Sequence, residues 1–412
     1  VTAASTGTGG ASAINDLSDG VTEDGGLTVG LGNGALANDD GTDNNNTALG
    51  YNALNANTSG ANNVAVGSGA LDANTTANYN SALGYDALGA NTTGGGNTAV
   101  GYETLSSNTT VSNSTACGFR ALKANTSGAN NTGVGKNALT ANTTGGSNTA
   151  VGKDALESNT TGSDNIAVGR DTLGVNTTGG KNVAVGDFAL ASNTTANNNT
   201  AVGYAALDAN TTGIQNVAVG ANALDANTTS NNNTAVGYSA LTANTTGTRN
   251  TAVGTLALQS ITTGTNSTAI GYEALYYSTG SSNTAVGARC LDANTTGQQN
   301  VAIGEHALGS NTTASNNTAV GTNCLDANTT GTDCTAVGTE ALGQNTTGNS
   351  NTAVGKDTLQ ANTTGINNVA VGAYALDGST TGYQNVAIGT YSLTSNTTGN
   401  NNTAVGYNAL GA

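Results

Sequence analysis

The chain has no proline, methionine or tryptophan, a single histidine, four cysteines and nine lysines or arginines among 412 residues. Each scarcity removes a class of function. Charged residues are 8%, against about 25% in ordinary soluble domains, and aromatics are 4%, a composition unlike that of a compact enzyme. The basic residues are scattered singly, as Lys123, Lys136, Lys153 and Arg249 are, and the net charge is −16. No patch could track a phosphate backbone, so nucleic acid is not expected as a partner. No apolar run approaches the roughly 20 residues that span a bilayer, so membrane insertion is not expected. Catalysis needs unlike groups that converge, and the one histidine, His306, stands beside Glu305 at a variable position. We therefore expect no enzyme, no catalytic residue and no resident cofactor. Cys117, Cys290, Cys324 and Cys334 lack the regular spacing of a disulfide framework or a zinc site.

What is present is repetition. The 60 glycines, with Ala, Asn and Thr, fall into a 17-residue period, T-A-V-G-Y-x-A-L-x-A-N-T-T-G-x-x-N. It runs over residues 47–412 as 21 complete repeats and a final part-repeat. One repeat, 268–283, is a residue short; an irregular copy occupies 27–46, and residues 1–26 form a non-repeating lead-in. No composition shift divides the series, so one elongated body is expected.

The fourth position is Gly in all 22 copies, including Gly50, Gly67 and Gly84, which implies a bend needing positive φ or lacking room for a side chain. The preceding T-A-V has the two-residue alternation of a strand. Leu is invariant at the eighth position, and Leu54, Leu71 and Leu376 with third-position Val66 and Val100 are expected to form the core. Asn dominates the eleventh and seventeenth positions, 18 of 21 complete repeats each. Stacked amides would hydrogen-bond as a ladder along Asn57, Asn74 and Asn91. The same asparagines head N-T-T or N-T-S acceptor sequences, so N-glycosylation is the alternative.

These features specify an all-β fold, a parallel β-solenoid of 22 to 23 coils at about 17 residues each. At ~4.8 Å per coil, 22 coils would extend roughly 105 Å. The lack of proline fits, because every ladder position needs its N–H. The second position is Ala in 21 of 22 copies, on the strand face opposite the valines. Such uniformity suggests packing against neighbouring chains, with Ala48, Ala65 and Ala82 at the chain–chain interface.

Other candidates are weaker. Gly30-Leu31-Gly32-Asn33-Gly34-Ala35 has the G-x-G-x-x-A form of a dinucleotide loop without the helix it needs. Asp39, Asp40 and Asp43 could offer oxygens to Ca²⁺, although a solvated turn is the expected reading. Cys117, in place of a third-position Val, reads as a small buried hydrophobe; Cys290 and Cys324 lie two coils apart, too far for a disulfide. Tyr85, Tyr102 and Phe119 would stack, or meet a glycan. Ninth-position Asp72, Asp208, Asp225, Asp292, Asp326 and Asp377 read as solvated turn residues. Rows of Thr75 and Thr76, Thr92 and Thr93 raise an ice-binding face, although adjacent residues of a strand point to opposite sides.

At N-T-A-V-G-Y-N-A-L (402–410) and N-V-A-I-G-T-Y-S-L (385–393) the chain resembles the repeats in heads of YadA-like trimeric autotransporter adhesins. The N-T-T-G form is similar to repeats in tail fibres of phages and marine bacteria. The resemblance covers about nine-tenths of the chain. It implies a left-handed β-roll, a homotrimer, and exposure on a cell or virion surface for reach or attachment to a receptor or glycan. The adhesin heads have shorter repeats. The expected function is an extracellular structural fibre or adhesive shaft, with an end-to-end filament as the alternative and an ice-binding solenoid as the second.

Overall fold

The computed structural model describes residues 20–22, 28–40 and 44–411. The chain falls into two compact units, Val1–Asn199 and Thr200–Ala412. Each is a parallel β-solenoid with about 17 residues per turn, about 22 turns in all, and no helix occurs among the described residues.

In the first unit β1 (Gly20–Thr22) pairs antiparallel with β2 (Val29–Leu31), which pairs parallel with β3 (Thr47–Leu49). From β3 a three-residue strand recurs every 17 residues as far as Val183–Val185, each pairing second position to second position, Ala48 with Ala65 and Ala65 with Ala82. The second unit stacks thirteen such strands, from Thr200–Val202 to Thr403–Val405. The sixteen-residue coil keeps this register, Thr268 opposite Thr284, so its missing residue is absorbed in the turn. Backbone bonds between coils are not confined to strands. Glu103 N donates to Tyr85 O, one coil back, while Leu105 N donates to Ala121 O, one coil ahead. A proline would remove one of these at almost any position.

Two backbone features make the corner after each strand. Gly50 has φ +141°, and a Cβ there would lie 2.5 Å from Gly67 O in the next coil. Glycine is required on both counts. Four residues on, Leu54, Leu71 and Leu376 are left-handed, with φ of 52°, 51° and 50°. That conformation costs an L-residue roughly 1–2 kcal/mol. Full burial of Leu, worth about 1.5–3 kcal/mol, offsets it, and Leu54 and Leu71 are completely buried. The sixth and sixteenth positions are left-handed too, as at Asn52 and Asn62, which explains why Asn and Asp recur there.

Candidate functional site

Six positions of each coil point inward: the second, seventh, eighth, eleventh, fourteenth and seventeenth. This reverses the expected sides of the strand. Ala48, Ala65 and Ala82 lie inside their own coils at 1% exposure or less, so they form no chain–chain interface. Val66 and Val100, expected in the core, lie on the outer face. The physical reason is thickness. At Gly133, the one glycine of the second column, an added Cβ would meet Leu122 Cγ and Ala138 O at 3.3 Å, so the inner face admits a methyl group and nothing branched. Cys117 is likewise exposed, not buried.

The inner columns carry two rows of buried amides. Asn74 Nδ2 donates to Asn57 Oδ1 at 2.8 Å and Asn91 Nδ2 to Asn74 Oδ1 at 3.1 Å. Each also donates across its own turn, Asn74 to Ala77 O and Asn91 to Gly94 O. Both N–H groups of Nδ2 are therefore engaged and Asn57, Asn74 and Asn91 are fully buried. The fold has no room for a glycan on them. In the seventeenth row Asn63 N donates to Asn46 Oδ1 at 2.9 Å, and Asn63 Nδ2 to Ala77 O at 2.8 Å, tying each coil to both neighbours. The eleventh row is interrupted in the second unit by Ile261, Ser278 and Ser379, and Asn244 Oδ1 is left buried without a hydrogen bond.

Outside, the first and third positions share one face. All third-position residues from Leu49 onward are apolar, yet Leu49 and Leu83 are 48% and 50% exposed in the first unit, and Ile270 and Ile388 40% and 42% in the second. No charged residue occurs at either position. A solvent-facing strand would ordinarily carry Lys, Glu and Ser on that side.

The remaining candidates are placed as follows. Tyr85 stacks on Tyr102 at 5.2 Å between centroids, and Tyr102 on Phe119 at 5.4 Å. Arg120 lies over the Phe119 ring at 4.9 Å and reaches Glu103 Oε2 at 2.9 Å, where Lys123 also pairs at 2.6 Å. Lys123 first, with Tyr102 and Arg120, holds the Glu103 carboxyl below its ordinary value. Both faces of Tyr102 and of Phe119 are taken up by neighbours, so those two rings offer edges rather than a platform for sugar. Twelfth-position Thr75 donates its hydroxyl to Thr92 O in the next coil, which engages that row within the stack. Gly30 through Ala35 is an ordinary coil corner: Gly32 has φ +129° and packs against Gly50. Asn44 Nδ2 donates to both Asp39 and Asp40, and Asp43 lies outside the described residues. Among the described residues no group of three or more His, Cys, Asp and Glu is placed to hold a metal ion. Ninth-position Asp72, Asp208, Asp292, Asp326 and Asp377 are half-buried, and burial pushes each carboxyl up. They are not freely solvated turn residues.

The fold thus defines a repeat solenoid with an apolar outer strand face. No protein-family model matches the chain, and no curated protein matches it significantly.

Proposed function

We propose that this protein is a structural, non-catalytic component of an extracellular or virion-surface fibre, whose copies associate side by side through the outward third-position column. The carrying observation is that column: Val, Leu or Ile in every coil but the one with Cys117, half-exposed, and flanked by uncharged first positions. Thirteen strands in the second unit present two outward residues each, 26 in all, within the roughly 20–30 residues per side of a standard interface. A second copy is the fitting occupant, because its own column repeats at the same strand spacing. The acidic groups that give −16 lie at other positions and do not oppose that contact. Three chains is the state implied by the resemblance to trimeric adhesin heads.

Sedimentation of the full chain tests this. We expect more than one chain per particle, oxidative cross-linking through Cys117, and loss of both in V219K/V236K. A single-chain particle at every concentration would refute side-by-side association.

A further inference from the structure

One coil of the second unit departs from the pattern where the chain's chemistry is most varied. Residues 268–283 lack one turn residue, carry Ser278 in the Asn row, and place Tyr276 and Tyr277 at the ninth and tenth positions, which hold no aromatic residue in any other repeat. A cavity of about 290 Å³ opens beside them, lined by Glu273, Tyr276, Tyr277, Arg289, Asp292 and His306. His306 is the single histidine and Arg289 one of nine basic residues.

The two tyrosine rings stand edge to face, 4.5 Å between centroids at 86°. Tyr277 is 58% exposed, so part of its ring is open to a ligand. Arg289 Nε pairs with Glu273 Oε2 at 3.0 Å. The Tyr272 hydroxyl, donating to Glu273, and Arg289 hold that carboxyl below its ordinary value, so it remains an acceptor. Burial pushes Asp292 up, and His306 opposes that shift. The lining therefore offers aromatic surface, acceptors and donors within one small space, with its negative groups facing positive or protonatable ones.

This inventory selects a ligand class. The volume lies at the lower edge of the roughly 300–1,000 Å³ range of small-molecule sites, too small for a dinucleotide. A quaternary ammonium would want unopposed aromatic faces and no guanidinium nearby. An acidic ligand would meet Asp292. A neutral pyranose has apolar C–H faces for the tyrosines and hydroxyls that both donate and accept. We propose that this cavity binds a single neutral sugar residue, stacked on Tyr277 and hydrogen-bonded by Asp292, His306 and the Glu273–Arg289 pair. The site lies away from the strand face and stands whether or not the copies associate.

The test is saturation-transfer NMR with calorimetry on the full chain, using the methyl glycosides of glucose, galactose, mannose and N-acetylglucosamine. At least one should bind with a dissociation constant on the order of 1 mM. Y277A and D292N should each weaken it tenfold or more, with Y238A, at an exposed tyrosine elsewhere in the unit, unchanged. A trisaccharide ending in the same residue should bind equally if a glycan terminus is the natural source, and more weakly if the free sugar is. No saturable signal from all four glycosides would overturn the proposal. So would equal binding by Y277A, or binding of tetramethylammonium or methyl glucuronide where the neutral glycosides fail.

Discussion

Replacing Asn142 by Ala would measure how much the buried amide row holds the coils together. Asn142 is fully buried. Its Nδ2 donates to Asn125 Oδ1 and to Gly145 O, each at 2.9 Å, and its Oδ1 accepts from Asn159 Nδ2 at 2.8 Å. Gly145 O keeps a second donor, Asn131 Nδ2, and is not stranded by the change. Asn125 Oδ1 and one N–H of Asn159 are stranded. At about 1–3 kcal/mol for each of the two buried groups left unpaired, the substitution costs about 2–6 kcal/mol. In a stack where each coil touches its neighbours, that loss should open the flanking coils before the whole unit. Hydrogen exchange reads it directly: amides such as Thr143 and Asn159 should exchange roughly 30-fold to 25,000-fold faster, with coils near Val66 unaffected. N142D should be worse at neutral pH, since a carboxylate would face two acceptors, and should recover partly in acid. T144A, two residues away on the exposed face, should stay within about 0.5 kcal/mol. An N142A effect no larger than that of T144A would refute the idea that the row is structural.

Three further outcomes are expected. G237A should be strongly destabilising, because φ is +137° there and its Cβ would sit 2.5 Å from Gly254 O; the left-handed strain alone costs about 1–3 kcal/mol, and a thermal midpoint within a degree of wild type would contradict it. D208N should raise the thermal midpoint at pH 7 but not in acid: burial first, then Asp225, raises the folded-state value of Asp208, so its stabilisation is complete below the ordinary value near 3.8 and is lost as pH rises through the higher one. A midpoint lowered by D208N at pH 7 would reverse that sign. A maleimide should label dissociated native protein at Cys117 alone, since Cys290 and Cys324 are buried with thiols pushed up to about 12, and burial pushes Cys334 up as well. Rapid native labelling of any of those three would contradict the inward placement of the seventh and seventeenth positions.

Much of the architecture is readable from residue spacing. Invariant Gly every 17 residues marks the corner, and the Asn rows mark the ladder, because identical side chains at identical heights meet their own kind. Other features left weaker traces. The enrichment of Asn and Asp at the sixth and sixteenth positions was a usable sign of left-handed backbone, whereas nothing about Leu announces that Leu54 adopts it. The cavity at Tyr276 and Tyr277 was signalled only by the shortened repeat, and its other members, Glu273, Arg289, Asp292 and His306, come from three successive coils. Their meeting depends on stacking, which puts residues 16 or 17 apart side by side.

The sequence by itself determined the period, the strand positions, and the pairing of like with like between coils, since a strict repeat with glycine corners leaves few other ways to satisfy the backbone. Only the tertiary structure decided which side of T-A-V faces inward. Alternation separates Ala from its flanking Thr and Val but does not choose between the two faces, and hydrophobicity alone favours the valines. The choice falls to the width of the coil: where Leu122 and the Ala138 carbonyl stand 3.3 Å from a second-position Cβ, only a methyl fits. The valines are left outside, and with them the apolar face.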